Sequence, residues 1–225
     1  MRIDPVFVIG LALSLPVYAA DLTSLSNKDA IGGLKEALNQ SCKAAAGKLG
    51  IKNGFLGNPQ VKIPLPDQLQ KTASVMRKFG FGSYADELTV TMNRAAEAAV
   101  PEAKPLLSNA IKKMTVSDAK GILAGGDDAA TKYFRKTTEN QLRAKFLPIV
   151  TQATHKVGMV EKYNEFAAQA SRFGLTNTPN LDQYVTQKTL DGLFVVIKEQ
   201  EKAIRAHPAQ YSGKLLQKAF GAVAH

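Results

Sequence analysis

A chain of 225 residues, 45% hydrophobic and 21% charged, is long enough for one substantial core and too apolar to stay disordered. Its single cysteine, Cys42, excludes an internal disulfide, so packing alone must hold the fold. A net charge of +10 is spread along the chain without a dense block, and the absence of tryptophan rules out a tryptophan-lined cage. Diffuse basicity of this kind favours loose association with anionic surfaces over a nucleic-acid groove, and nucleic acid is not an expected partner.

The N-terminus reads as a secretory signal peptide. Arg2 precedes the apolar run Val6 to Leu15, Pro16 breaks that run, and Val17 and Ala19 supply the small residues of a cleavage site. The run is shorter than the roughly 20 residues of a membrane span. Residues 1–19 are therefore expected to be removed, leaving 20–225 as one exported domain, with the periplasm as its compartment. No later segment of that mature chain approaches a transmembrane span.

Beyond it, helical periodicity dominates and strand-like alternation is nearly absent. Ser26 with Asp29 forms a capping box, Ile31, Leu34, Leu38, Cys42, Ala45 and Leu49 mark a stripe, and Gly50 ends the first helix. Residues 51–66 carry two glycines and three prolines, which forbid a helix and make an irregular crossover. A second helix opens at Asp67 and stops at Gly80. Ser83 with Asp86 is expected to cap a third, ending near Val100, and Pro101 and Pro105 to open a separate short one. Thr115 with Asp118 caps the next, Gly125-Gly126 stops it, and Asp127 starts a longer helix that Pro148 kinks or divides. Residues 159–173 form an amphipathic helix. Asn180 caps a long helix whose Leu193-Phe194-Val195-Val196-Ile197 core is apolar all round, the mark of a central helix. Gly192 within it predicts close approach of another helix. Pro208 precedes a last short helix. The expectation is an all-α, single-domain bundle of nine or ten helices.

Catalytic constellations are sparse. His155, His207 and His225 lack metal-ligand spacing, and no G-x-S-x-G elbow is present, so no metal and no cofactor is expected. Gly125-Gly126-Asp127-Asp128 reads as a helix stop and start, because two aspartates would repel phosphate. On the third helix Asn93, Arg94 and Glu97 form a polar flank among Ala95, Ala96, Ala98 and Ala99. Three readings stay open for it: a solvated face, a buried structural network or a ligand site. Asp191, Glu201 and Arg205 on the long helix raise the same choice.

Five strings together resemble one family: IPLP at 63–66, MNRAAEAAVP at 92–101, MTVSDAKGILAGGDDAATKYFR at 114–135, LDQYVTQKTLDGLF at 181–194 and EKAIRAHP at 201–208. They are similar, from about Asn27 to Gly221, to the bacterial exported domain-of-unknown-function family number 4197. The resemblance implies an all-α envelope protein, and it brings no activity, substrate or cofactor. It places Asn93, Arg94, Glu97, Asp191 and Arg205 inside its motifs, which makes them the candidate binding residues. The functional expectation is an envelope binding or interaction module with a groove between helices, taking a small ligand or an envelope component. The alternatives are an enzyme using Asn93, Arg94 and Glu97 for acid–base work, or a structural, chaperone-like factor. The signal reading predicts that the exported form begins at Ala20; intact-mass measurement of the envelope fraction checks this, and a species retaining Met1 to Ala19 there contradicts it.

Overall fold

Local chemistry sets some of the helix ends, and distant side chains set others. The computed structural model describes residues 24–117, 119–174 and 179–223, and every regular element among them is helical. The expected signal peptide, the start at Ala20 and the Asp118 half of a capping box lie outside the described residues.

Helix α1 (Asn27–Leu49) begins where the Ser26 hydroxyl accepts the Asp29 amide at 3.0 Å, and closes with the Gly50 amide on Ala46. Helix α2 (Asp67–Lys78) ends in a Schellman motif. There Phe81 N–H donates to Met76 O at 2.9 Å and Gly80 N–H to Arg77 O at 3.2 Å, with Gly80 left-handed at φ 85°. Helix α3 (Gly82–Lys113) and helix α5 (Ala129–Lys156) flank the short α4 (Ala119–Leu123). Helix α6 (Met159–Ala170) passes into a 3-10 turn at Ser171–Phe173. Helix α7 (Leu181–Ala206) starts under Asn180, whose side chain accepts the Gln183 amide at 2.9 Å. A second 3-10 turn at Pro208–Gln210 leads to α8 (Lys214–Gly221).

Eight α-helices stand among the described residues, not nine or ten, because prolines that were expected to divide helices do not. Pro101 and Pro105 lie inside α3, and Pro148, expected to kink or divide its helix, lies inside an undivided α5. Proline in a helix interior costs about 3 kcal/mol or more. In α3 the buried stripe Val100, Ala103, Leu107 and Ile111 keeps helical spacing through both prolines, so packing overrides the local preference. Two expected caps also fail. No side-chain bond caps α3 at Ser83, and Asp86 instead pairs with Arg77. Nor does Asp127 start α5, whose first amides turn to a glutamate on α7.

Two helices share the centre of the bundle: α3 packs on α1, α2, α5, α6 and α7, and α1 on α3, α4, α5, α7 and α8. Helix α7, expected to be central, packs on α1, α3, α5 and α8 and leaves Val195 half-buried. The crossover, residues 51–66, fills the space beside both. It buries Phe55, Val61, Ile63 and Leu65, and its Pro64 carbonyl accepts from the Tyr184 hydroxyl of α7 at 3.0 Å.

Gly192 is a close-approach site, but its neighbour is this crossover and not a helix. A Cβ there would lie 2.7 Å from Phe55 Cε1 and 3.2 Å from Val61 Cβ. Gly192→Ala should therefore destabilise by about 1–3 kcal/mol through overpacking, although alanine is the better helix former. Denaturant unfolding checks this, and a raised unfolding midpoint would contradict the packing.

Candidate functional site

The buried amides of the crossover explain the polar flank of α3. An irregular segment has no ladder for its N–H groups, and a buried unpaired one costs about 1–3 kcal/mol. Asn93 and Glu97 stand one turn apart on α3 and meet that need. Glu97 Oε1 accepts the amides of Phe55 and Leu56, both at 3.1 Å. Asn93 Oδ1 accepts the Ile63 amide at 2.9 Å, while its Nδ2 donates to the carbonyls of Ile63 and Thr89 at 2.8 Å. Arg94 completes the group, donating to Glu97 Oε2 at 2.5 Å and to Asn53 Oδ1 at 2.8 Å. Asn53 holds a left-handed φ of 68°, a conformation asparagine tolerates better than most residues. With Glu97 only 5% exposed and three donors on its oxygens, the flank is a buried clamp on the crossover.

Glu201 and Arg205 form a second clamp, on α7. Glu201 accepts the Ala130 and Thr131 amides at 2.9 and 2.7 Å and the Thr131 hydroxyl at 2.6 Å, so it caps α5 from another helix. Arg205 bonds the same carboxylate at 2.8 and 3.0 Å, and donates to the Leu123 and Ile122 carbonyls that end α4, at 2.7 and 3.2 Å. Its guanidinium also lies 5.2 Å from the Phe220 ring centroid. Asp191 belongs to a third, half-exposed group, accepting from Arg135 at 2.5 Å and from Gln187 at 3.2 Å. The five candidates thus occupy three separate networks and do not converge on one site.

Other reactive groups have structural surroundings. Burial pushes the Cys42 thiol up to about 12. Asp128 pairs with Lys132 and Lys198, and Asp127 with Lys202, so the aspartate pair faces cations of the chain itself. Among the described residues, no group of three or more His, Cys, Asp or Glu is placed to hold a metal ion.

The largest cavity described is a groove of about 680 Å³ between α5 and α7. Arg143, Asn140, Asn180, Gln183 and Gln187 contribute polar groups, and Ala144, Leu147 and the Tyr184 ring an apolar wall. No carboxylate lines it. At one end Gln187 Nε2 is held between Glu139 Oε1 at 3.1 Å and Asp191 Oδ1, so Asp191 reaches the groove only through Gln187. The Arg135 guanidinium keeps the Glu139 carboxyl below its ordinary range, with Gln187 adding to the effect. Burial first, and then the Asp67 charge, raises the Tyr184 hydroxyl above its ordinary value. The groove residues were not among the sequence candidates. Their available signal was Gln183 and Gln187 at i, i+4 spacing on one face of the long helix, which places two amides side by side.

A family model described as a protein of unknown function, DUF4197, matches residues 24–221. The chain belongs to that family. No curated protein and no solved structure matches it. Both clamps and both walls of the groove lie within the span matched by DUF4197.

The first clamp makes a sharp stability prediction. Glu97→Ala strands Arg94 and two crossover amides, and should cost about 3–5 kcal/mol, as breaking a buried pair does. Glu87, an exposed partner of Lys162, is the control, and Glu87→Ala should change stability by no more than about 0.5 kcal/mol. Denaturant unfolding of both beside wild type checks this; an equally small effect at Glu97 would refute the clamp.

Proposed function

We propose that this DUF4197 protein is an exported envelope binding module, and that the groove between α5 and α7 holds its ligand. The observation that carries the reading is the groove itself. Its volume of about 680 Å³ lies within the roughly 300–1,000 Å³ of small-molecule sites, and amides with one arginine converge on an apolar wall. A lining of Arg143 and amides without a carboxylate suits a polar ligand, neutral or anionic, rich in carbonyl or hydroxyl groups. Export rests on the signal-peptide pattern of residues 1–19, and an envelope ligand follows from that compartment. Acid–base catalysis by Asn93, Arg94 and Glu97 finds no support, since Glu97 is committed to the crossover and to Arg94.

Native mass spectrometry of protein purified from its own host tests the reading. The expected result is a co-purified small molecule on wild type. Its occupancy should fall about tenfold or more in Arg143→Ala, since a hydrogen bond to a charged group contributes about 1.5–3 kcal/mol. A bare wild-type mass, or a ligand indifferent to Arg143→Ala and Gln183→Ala, removes the groove from consideration.

A further inference from the structure

We propose that the turn between α2 and α3, together with the 3-10 turn at Ser171–Phe173, docks the protein peripherally on an anionic lipid surface. The inference goes beyond the groove and does not depend on it. Phe79 is the most exposed large apolar side chain described, at 65%, and it is not alone. Its ring stacks on Phe173 with centroids 5.4 Å apart, and Phe81 leans on Phe173 at 6.0 Å. Val75, 40% exposed, extends the same apolar surface along α2. Phe81 and Phe173 are half-buried against the core, so Phe79 is an exposed ring held on a core-anchored aromatic pair, unlike a scattered surface hydrophobe, which needs no explanation.

The turn is hydrogen-bonded and exposed at residues 77–80. The Schellman bonds from Phe81 to Met76 and from Gly80 to Arg77 fix its course, and a Cβ built on Gly80 would meet nothing within 4 Å. Phe79 is thus presented at an exposed turn whose backbone these two bonds hold. An exposed aromatic turn fits the soft headgroup region of a bilayer, where an apolar face sinks only about 5–10 Å.

Charge decides the occupant. The outer face of α2 carries Lys71, Val75, Lys78 and Phe79 at i, i+4, i+7 and i+8 spacing, which interleaves cations with the apolar groups. Arg172 supplies another beside Phe173. No Asp or Glu occurs in residues 68–85 or 166–174. Among the described residues no ion pair engages Lys71, Lys78 or Arg172, and Arg77 is paired with Asp86. Basic residues around an aromatic tip match an anionic surface, as the overall charge of +10 does. No described helix is long and apolar enough to cross a membrane, which fits attachment from one side.

Vesicle co-sedimentation of the full chain, as recovered from its producing cell, tests the proposal. Vesicles of phosphatidylcholine with and without phosphatidylglycerol are the probes. Wild type should bind the vesicles containing phosphatidylglycerol, and added salt should weaken that binding. Phe79→Ser should lower partitioning about tenfold or more, and Lys78→Glu with Arg172→Glu by a similar factor. Ile51→Ser, at a residue 60% exposed but outside the patch, should leave partitioning within about twofold of wild type. An unchanged melting temperature confirms that Phe79→Ser keeps the fold. Wild type that ignores phosphatidylglycerol, or Phe79→Ser that binds like wild type, overturns the proposal. So does a wild-type dimer in sedimentation equilibrium that Phe79→Ser dissociates without any lipid binding, because the face then belongs to a second copy.

Discussion

The carboxylate of Glu97 is the contact on which the route of the chain depends. Between α1 and α2 the backbone crosses the bundle without helix or sheet, and prolines at 59, 64 and 66 prevent either. Such a path is tolerable in the interior only if its amides find acceptors. Glu97 takes two of them, Asn93 takes a third and returns a donor to the same residue, and Arg94 balances the charge. With the crossover fixed, Phe55 and Val61 can lie against Gly192, and α7 finds its distance from α3. The alanines around Glu97 matter for the same reason. Ala95, Ala96 and Ala99 are fully buried, and their small side chains let neighbouring elements come close enough for a carboxylate to reach a backbone amide.

The same device recurs where helices meet. Glu201 caps α5 from α7, and Glu36 of α1 accepts the Leu216 amide at 3.0 Å at the start of α8. Asp182 of α7 accepts the hydroxyls of Thr151 and Thr154 of α5, both at 2.9 Å. A helix N-terminus presents free amides and a partial positive charge, so a carboxylate from another helix satisfies both at once. Apolar burial alone would let helices slide or rotate with little penalty. These directional bonds fix which turn faces which, in a fold that has no disulfide to do so.

What the sequence disclosed follows from the range of each interaction. The caps at Ser26 and Asn180, the stops at Gly50 and Gly80, and the irregular 51–66 segment all depend on residues within a few positions, and each is legible. The continuity of α3 through Pro101 and Pro105 is not, because it rests on a stripe packed against other helices. Asn93, Arg94 and Glu97 stood out as polar groups among alanines, and Asn93 and Glu97 are indeed buried. Their partners lie far along the chain, Glu97 on amides 41 and 42 positions away and Arg205 on carbonyls 80 or more away. No periodicity encodes such pairings, so a structural clamp and a ligand site look alike in one sequence. The groove was hidden for the complementary reason: its walls are ordinary solvated faces of α5 and α7, and become concave only once those helices pack.

Groove and aromatic tip are connected by the order of the chain. Phe173 closes the tip, and Asn180 lines the groove as the cap of α7. They are seven positions apart in the chain, which bounds their separation at about 25 Å. That is less than the length of α3, whose 32 residues rise about 48 Å. The Asn180 end of the groove therefore lies within about half the length of α3 from Phe173. The two clamps serve this arrangement indirectly. One fixes α3, which begins at the tip, and the other fixes α5 against α7, which form the groove, so both surfaces are carried on elements whose register buried carboxylates set.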